Sequence, residues 1–173
     1  MRLLGSLILL GTIAVSACAH DSGASAPAPA PISASEVTVE NLLRWPLEGP
    51  GGFAKVEAGL QQVLQMKPQY AQQFTGRGPV RLADGNVLSF AWLQGLSGSV
   101  SIGVAQDPCV SPEQAKELIG AIQSPVIRDM HGVDIGKTYS TKRNGMLVSF
   151  TTTPETYRCV TSIQIHSTGE SNP

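Results

Sequence analysis

The side chains capable of acid–base or metal chemistry are few in this chain and lie far apart in its sequence. The chain has three histidines, at positions 20, 131 and 166. His131 belongs to the segment Asp129-Met130-His131-Gly132-Val133-Asp134, a local cluster of side chains that can bind a cation or transfer a proton. The cluster follows Pro125 in a predicted loop, where polar side chains are expected anyway. We therefore interpret it as a structural loop rather than a metal site.

No segment has the spacing of a catalytic motif. The serines at positions 89, 99, 101 and 149 alternate along predicted strands, and none lies in the Gly-x-Ser-x-Gly turn of serine hydrolases. Gly49-Pro50-Gly51-Gly52 lacks the lysine and the preceding strand of a phosphate-binding loop. The sequence thus predicts neither an enzyme nor a bound cofactor, and a hydrolase assembled from distant residues is the least favoured function.

A short apolar segment opens the chain and ends at a cysteine. Arg2 supplies a positive charge, and residues 3–15 are almost continuously apolar, which is typical of a signal peptide. This segment is shorter than the roughly 20 residues that cross a bilayer. The four residues Val15-Ser16-Ala17-Cys18 resemble the lipobox of bacterial lipoproteins. An ordinary secretory signal, cut near Ala17 or Ala19, and a retained membrane anchor are the alternatives.

The lipobox resemblance implies where the protein works. Residues 1–17 would be removed, and Cys18 would become the first mature residue, with two acyl chains on its sulfur and one on its nitrogen. Several chains convert marginal membrane binding into stable anchoring. In such lipoproteins an Asp after the cysteine signals retention in the inner membrane, whereas Ala19 stands here. The expected location is therefore the periplasmic face of the outer membrane.

Two cysteines remain when Cys18 is assigned to lipid. We predict that Cys109 and Cys159 form a disulfide, because the periplasm is oxidising. A redox-active or metal-binding pair is the alternative, but the two cysteines lack the Cys-x-x-Cys spacing of such sites.

Composition divides the chain into a tether, one domain and a tail. Residues 18–35 are rich in Ala, Pro and Ser, which favours an extended tether that spans roughly 50 Å at about 3.1 Å per residue. Residues 36–168 form one predicted globular domain, and residues 169–173 a flexible tail. The formal net charge of −1 provides no electrostatic attraction for nucleic acid.

Apolar periodicity in the domain predicts an α+β fold. We expect a mainly antiparallel sheet of about six strands, with two or three helices packed on one face, in the order ααβββ-αβββ. The first helix is expected to begin at Ser35, the second to follow the break at residues 49–52, and the third to begin at Ser111-Pro112. The predicted strands are Val80–Leu82, Asn86–Leu93, Ser99–Val104, Lys137–Arg143, Met146–Thr152 and Thr156–His166, with turns at Asp84-Gly85 and Asn144-Gly145.

The remaining candidates are surfaces for binding. Trp45 is a candidate aromatic anchor, whereas Trp92 is interpreted as core, on one face with Leu88 and Phe90. The other candidate contacts are Leu93, Gln94 and Leu96 in one loop, and Lys142, Arg143 and Asn144 at a hairpin tip.

Small size and absent catalytic motifs favour a protein-binding module. Such a module would be an inhibitor or immunity-type lipoprotein, or an accessory subunit of an envelope complex. A lipoprotein that binds a small ligand or peptidoglycan is the alternative, and it would need a concave apolar pocket.

Overall fold

Three α-helices and one antiparallel sheet form the part of the chain that the computed structural model describes, residues 32–70, 72–124 and 130–169. The helices are α1 (Val39–Arg44), α2 (Pro50–Leu64) and α3 (Pro112–Ile119). The strands are β1 (Lys67–Tyr70), β2 (Gln73–Arg81), β3 (Val87–Gln94), β4 (Ser99–Val104), β5 (Ile122–Gln123), β6 (Thr138–Arg143), β7 (Met146–Thr152) and β8 (Val160–Ser167). The predicted α+β class is confirmed, but these residues contain eight strands rather than six.

The sheet consists of two meanders that meet in its middle. The strand order is β1-β2-β3-β4-β8-β7-β6-β5, and every neighbouring pair is antiparallel. Each meander has four strands, the first preceded by α1 and α2 and the second by α3. The predicted order lacked one strand in each half, namely β1 and β5, which form the two edges of the sheet.

The helices cover one face of the sheet, as predicted. Helix α2 packs on β2 and β3, and its Val56 and Leu60 are fully buried. On β7, Val148 and Phe150 point into this layer and alternate with half-buried residues, and the Phe150 ring stacks on Tyr139 at 5.1 Å between centroids. The core therefore lies between the helical layer and the inner face of the sheet.

Neighbouring residues contribute to the start of each helix. The predicted start of α3 is confirmed, because the Ser111 hydroxyl accepts a hydrogen bond from the backbone N–H of Gln114 (3.4 Å). Ser35 does not cap the first helix: Thr38 does, by accepting from the N–H of Asn41 (3.0 Å). Residues 49–52 are not a break before α2, since Pro50 occupies its first position.

The disulfide between Cys109 and Cys159 is present, as predicted, with the two Cα atoms 5.2 Å apart. Cys109 lies just before α3, and Cys159 just before β8. Beside the bridge, the N–H of Val160 donates to the carbonyl of Val110 (2.9 Å). The bond therefore fastens the segment between the two meanders to the last strand of the sheet.

Candidate binding surface

The sheet face that points away from the helices carries three rows of side chains, which we call the open face. The central row contains Thr75, Trp92, Ser101, Gln164, Ser149 and Ser140, each opposite the next on neighbouring strands. The second row contains Arg77, Phe90, Gly103, Ser162, Thr151 and Thr138. The third row contains Gln73, Gln94, Ser99, His166, Leu147 and Lys142. These positions hold mostly hydroxyl and amide groups, and none is a carboxylate.

Phe90 and Trp92 lie on the open face, so the prediction that Trp92 belongs to the core is wrong. The pairing of β3 with β4 shifts register between Leu88 and Phe90. This irregularity reverses the alternation along β3, because one extra residue moves all later side chains to the other face. Leu88 is consequently buried, whereas Phe90 and Trp92 are each 43% exposed and Leu93 turns into the core.

A third aromatic side chain extends this surface to the sheet edge. Tyr70 on β1 pairs with Gln73 and is 78% exposed. We call Tyr70, Phe90 and Trp92 the aromatic patch. Two cations accompany it: Arg77 lies directly opposite Phe90, and Lys67 lies opposite Thr75, the neighbour of Trp92. Directly opposite residues on one face have Cβ atoms about 5 Å apart, so the charges and rings form one surface.

The glycine opposite Phe90 is the sequence signal that identifies this arrangement. A Cβ atom added to Gly103 would collide with the Phe90 ring, which lies over the Gly103 backbone. An isolated glycine inside a strand pattern indicates a bulge or a close approach. Gly103 therefore marks both the register shift and the aromatic side chain that covers it.

Two of the predicted contact residues are buried and unavailable to a partner. Leu93 is fully buried on the inner face of β3, and Trp45 packs in the helical layer at the start of the 3-10 turn Trp45–Glu48. Gln94 belongs to the third row of the open face. Leu96 is 79% exposed in the 3-10 turn that joins β3 to β4. Of the predicted loop, Gln94 and Leu96 are therefore available to a partner. On β3 the exposed apolar side chain is Trp92 rather than Leu93.

The predicted hairpin tip is exposed but partly structural. Asn144 and Gly145 both have positive φ angles (51° and 73°) and join β6 to β7, as the sequence predicts. The Asn144 side-chain amide donates to the Leu47 carbonyl (2.7 Å), which ties the tip to the helical layer. Lys142 and Arg143 are exposed, and Lys142 ends the third row of the open face, far from the aromatic patch.

A serine–histidine pair on the open face has the geometry of a cross-strand bond. The Ser99 hydroxyl lies 3.0 Å from Nδ1 of His166, its direct neighbour on β8. Within the described ranges, no carboxylate is bonded to the other nitrogen of the His166 ring. A serine nucleophile of the Ser-His-Asp type depends on a base held in orientation by a third group. We interpret the pair as part of the sheet.

Asp134, in the segment whose side chains could bind a cation, forms hydrogen bonds within the protein. Its carboxylate accepts hydrogen bonds from the Tyr157 hydroxyl and from the backbone N–H of Gly136 (2.8 Å). The Lys137 ammonium lies 4.3 Å from the centroid of the Tyr157 ring. Asp129 lies outside the described residues. Within the described part of the chain, no group of three or more His, Cys, Asp or Glu side chains is placed to hold a metal ion.

A cleft lies in the helical layer, between α1 and α3. This cleft has a volume of about 410 Å³ and an apolar floor formed by Leu43, Val110, Ala115 and Leu118. Its polar lining includes Asp84, whose carboxylate accepts from the N–H of Val39 (2.8 Å) and thereby fixes the start of α1. Elsewhere in this layer, desolvation by burial raises the pKa of Glu57 above its ordinary value.

Comparisons with protein-family models, curated proteins and solved structures give no match to this chain. The described helices include none that is long and apolar enough to cross a membrane. Cys18 and the rest of the lipobox lie outside the described residues.

Proposed function

We propose that this chain is a lipid-anchored protein of the bacterial envelope that acts by stoichiometric binding to another protein. The aromatic patch carries the proposal, because it places three exposed rings on a sheet face without carboxylates. Contiguous exposed apolar groups mark interaction sites, and Trp and Tyr dominate the energetics of protein interfaces. The partner would be an enzyme to be inhibited or a subunit of an envelope complex.

The rest of the open face suits such an interface. Hydroxyl and amide groups on β4, β7 and β8 can donate and accept hydrogen bonds without the cost of burying a charge. The tether and the acyl chains on Cys18 would hold this surface at the periplasmic side of the outer membrane.

Replacing Cys18 by Ala should abolish lipid attachment and release the protein from the membrane. Without the cysteine no acyl chains are added, and the stable hydrophobic anchor is lost. Metabolic labelling with a palmitate analogue, followed by membrane fractionation, measures both effects. A variant that labels normally and still sediments with the outer membrane would show that the lipobox interpretation is wrong.

The binding mode can be tested by placing a photo-crosslinking amino acid at Gln164, in the central row of the open face. We expect irradiated cells to yield one protein adduct from this position and none from Gln61, a matched exposed glutamine on α2. The adduct partner is then purified and titrated calorimetrically against this protein, with an expected ratio of one to one. Catalytic turnover of that partner, or adducts of equal yield from Gln61, would contradict stoichiometric binding through the open face.

A small-ligand lipoprotein is the second candidate, and the cleft between α1 and α3 is the observation that favours it. Its volume of about 410 Å³ and apolar floor fall within the range of ligand pockets. Native mass spectrometry of the purified protein distinguishes the two functions. A bound small molecule that is lost on substitution of Leu118 by Glu would assign the function to the cleft.

A further inference from the structure

We infer that the partner presents a carboxylate-rich surface to the aromatic patch; the inference rests on the proposed function and adds the chemistry of the partner. The described chain separates its charges by layer. Its strands contain no Asp or Glu, whereas they contain the cations Lys67, Arg77, Arg81, Lys142 and Arg143. The described carboxylates all lie in helices, turns and loops. The sheet is therefore positive although the formal net charge of the chain is −1.

The helical layer pairs several of its cations with carboxylates, whereas the two cations beside the aromatic patch have no such partner among the described residues. Arg44 pairs with Glu40 (3.0 Å), Lys55 with Glu48 (2.7 Å) and Lys116 with Glu113 (3.8 Å). Among the described residues, Lys67 and Arg77 take part in no ion pair. The positive potential of these two side chains is thus uncompensated at the edge of the aromatic patch.

The loss of water on binding determines which groups the partner must place against these cations. If Phe90 and Trp92 are covered by a partner, Arg77 loses water as well, because it lies directly opposite Phe90. A buried charge is costly unless it is paired and hydrogen-bonded. The open face supplies no carboxylate, so the partner must supply one. A partner surface with Asp or Glu beside apolar groups satisfies both the cations and the rings.

The position of the tether favours a protein over the membrane as the occupant. The first described residue, Ile32, packs against the core, and Val37 contacts α2 at Gly59. A chain anchored at Cys18 would therefore enter through the helical layer, on the side of the molecule opposite to the open face. The aromatic patch is directed away from that entry point and is accessible to a partner.

Ionic quenching of tryptophan fluorescence tests the local potential without any ligand. Trp45 is buried and Trp92 is 43% exposed, so the emission accessible to ionic quenchers reports on Trp92. We expect iodide to quench the full chain at least about twofold more efficiently than caesium at low salt, when each quenching constant is normalised to that of free tryptophan amide, and the difference to shrink in high salt. The variant Lys67→Gln/Arg77→Gln should lose the difference. The control Lys55→Gln/Lys116→Gln removes the same charge from the helical layer and should retain it.

Binding of defined probes tests the partner chemistry. The probes are compared in the Cys18→Ala background, so that no acyl chain contributes to vesicle binding. At low salt this chain should bind poly-L-glutamate, and adding Lys67→Gln/Arg77→Gln should weaken that binding about tenfold while the helical-layer control does not. Equal normalised quenching by iodide and caesium would overturn the inference, as would tighter binding to phosphatidylglycerol vesicles than to poly-L-glutamate. If the one-to-one protein complex forms but is insensitive to Lys67→Gln/Arg77→Gln, this inference fails while the proposed function stands.

Discussion

Removing the disulfide, in the variant Cys109→Ala/Cys159→Ala, is expected to lower the free energy of unfolding by about 4 kcal/mol. The bond joins residues 50 positions apart, and chain-entropy arguments assign that stabilisation to a closed loop of this length. The loop spans α3 and β5 to β7, so without the bond the unfolded chain gains freedom across most of the second meander. The folded state should keep its secondary structure, because the sheet hydrogen bonds do not depend on the bond.

Chemical denaturation followed by far-ultraviolet circular dichroism measures this loss. The unfolding midpoint should fall while the spectrum of the folded protein stays unchanged. Cys18→Ala, which keeps the bond, is the control, and the double variant is measured in the same Cys18→Ala background so that neither protein carries lipid. A midpoint within error of that control would mean that the bond contributes no net stability to the native fold.

Local signals in the sequence predicted local structure correctly. Ser111 and Pro112 predict the start of α3, because a hydroxyl that accepts from Gln114 and a fixed φ at the first position both act within four residues. The turn at Asn144-Gly145 is equally local, since both residues tolerate positive φ. The class of the fold follows from such signals together with apolar periodicity.

The strands at the edges carry no comparable signal. All four residues of β1 are exposed and include Pro68, so neither alternation nor strand propensity marks it. β5 has only two residues, Ile122 and Gln123, both exposed. These segments are strands because a neighbour offers unpaired backbone groups, and that cause lies outside their own sequence.

The prediction that Trp92 is buried is wrong for a similar reason. Strict alternation along the strand places Trp92 on one face with Leu88 and Phe90, and this alternation predicts that all three are buried. The structure buries Ala91 and Leu93 instead, because the register shift with β4 reverses the alternation. Pairing between strands, rather than hydrophobicity along one strand, therefore decides which side chains remain available to a partner.

Replacing Trp92 by Ala is expected to weaken association with the protein partner by about 30-fold, which corresponds to about 2 kcal/mol. Trp92 belongs to the aromatic patch and lies opposite both Thr75 and Ser101. Its truncation removes the largest apolar contact of the aromatic patch. Its stability cost should be about 1 kcal/mol, because the ring is 43% exposed and contacts cross-strand neighbours on the outside of the sheet rather than the core.

Calorimetric titration with the partner isolated through Gln164, together with chemical denaturation, separates the two effects. Ile122→Ala is the matched control, since it removes an exposed apolar side chain from the opposite edge of the same sheet. At about 4.8 Å per strand, that edge lies roughly 24 Å or more from Trp92. The control should change the affinity less than twofold. Equal affinities for Trp92→Ala and the unmodified chain would show that the partner binds elsewhere, whereas a stability loss of several kcal/mol would show that Trp92 supports the fold rather than the interface.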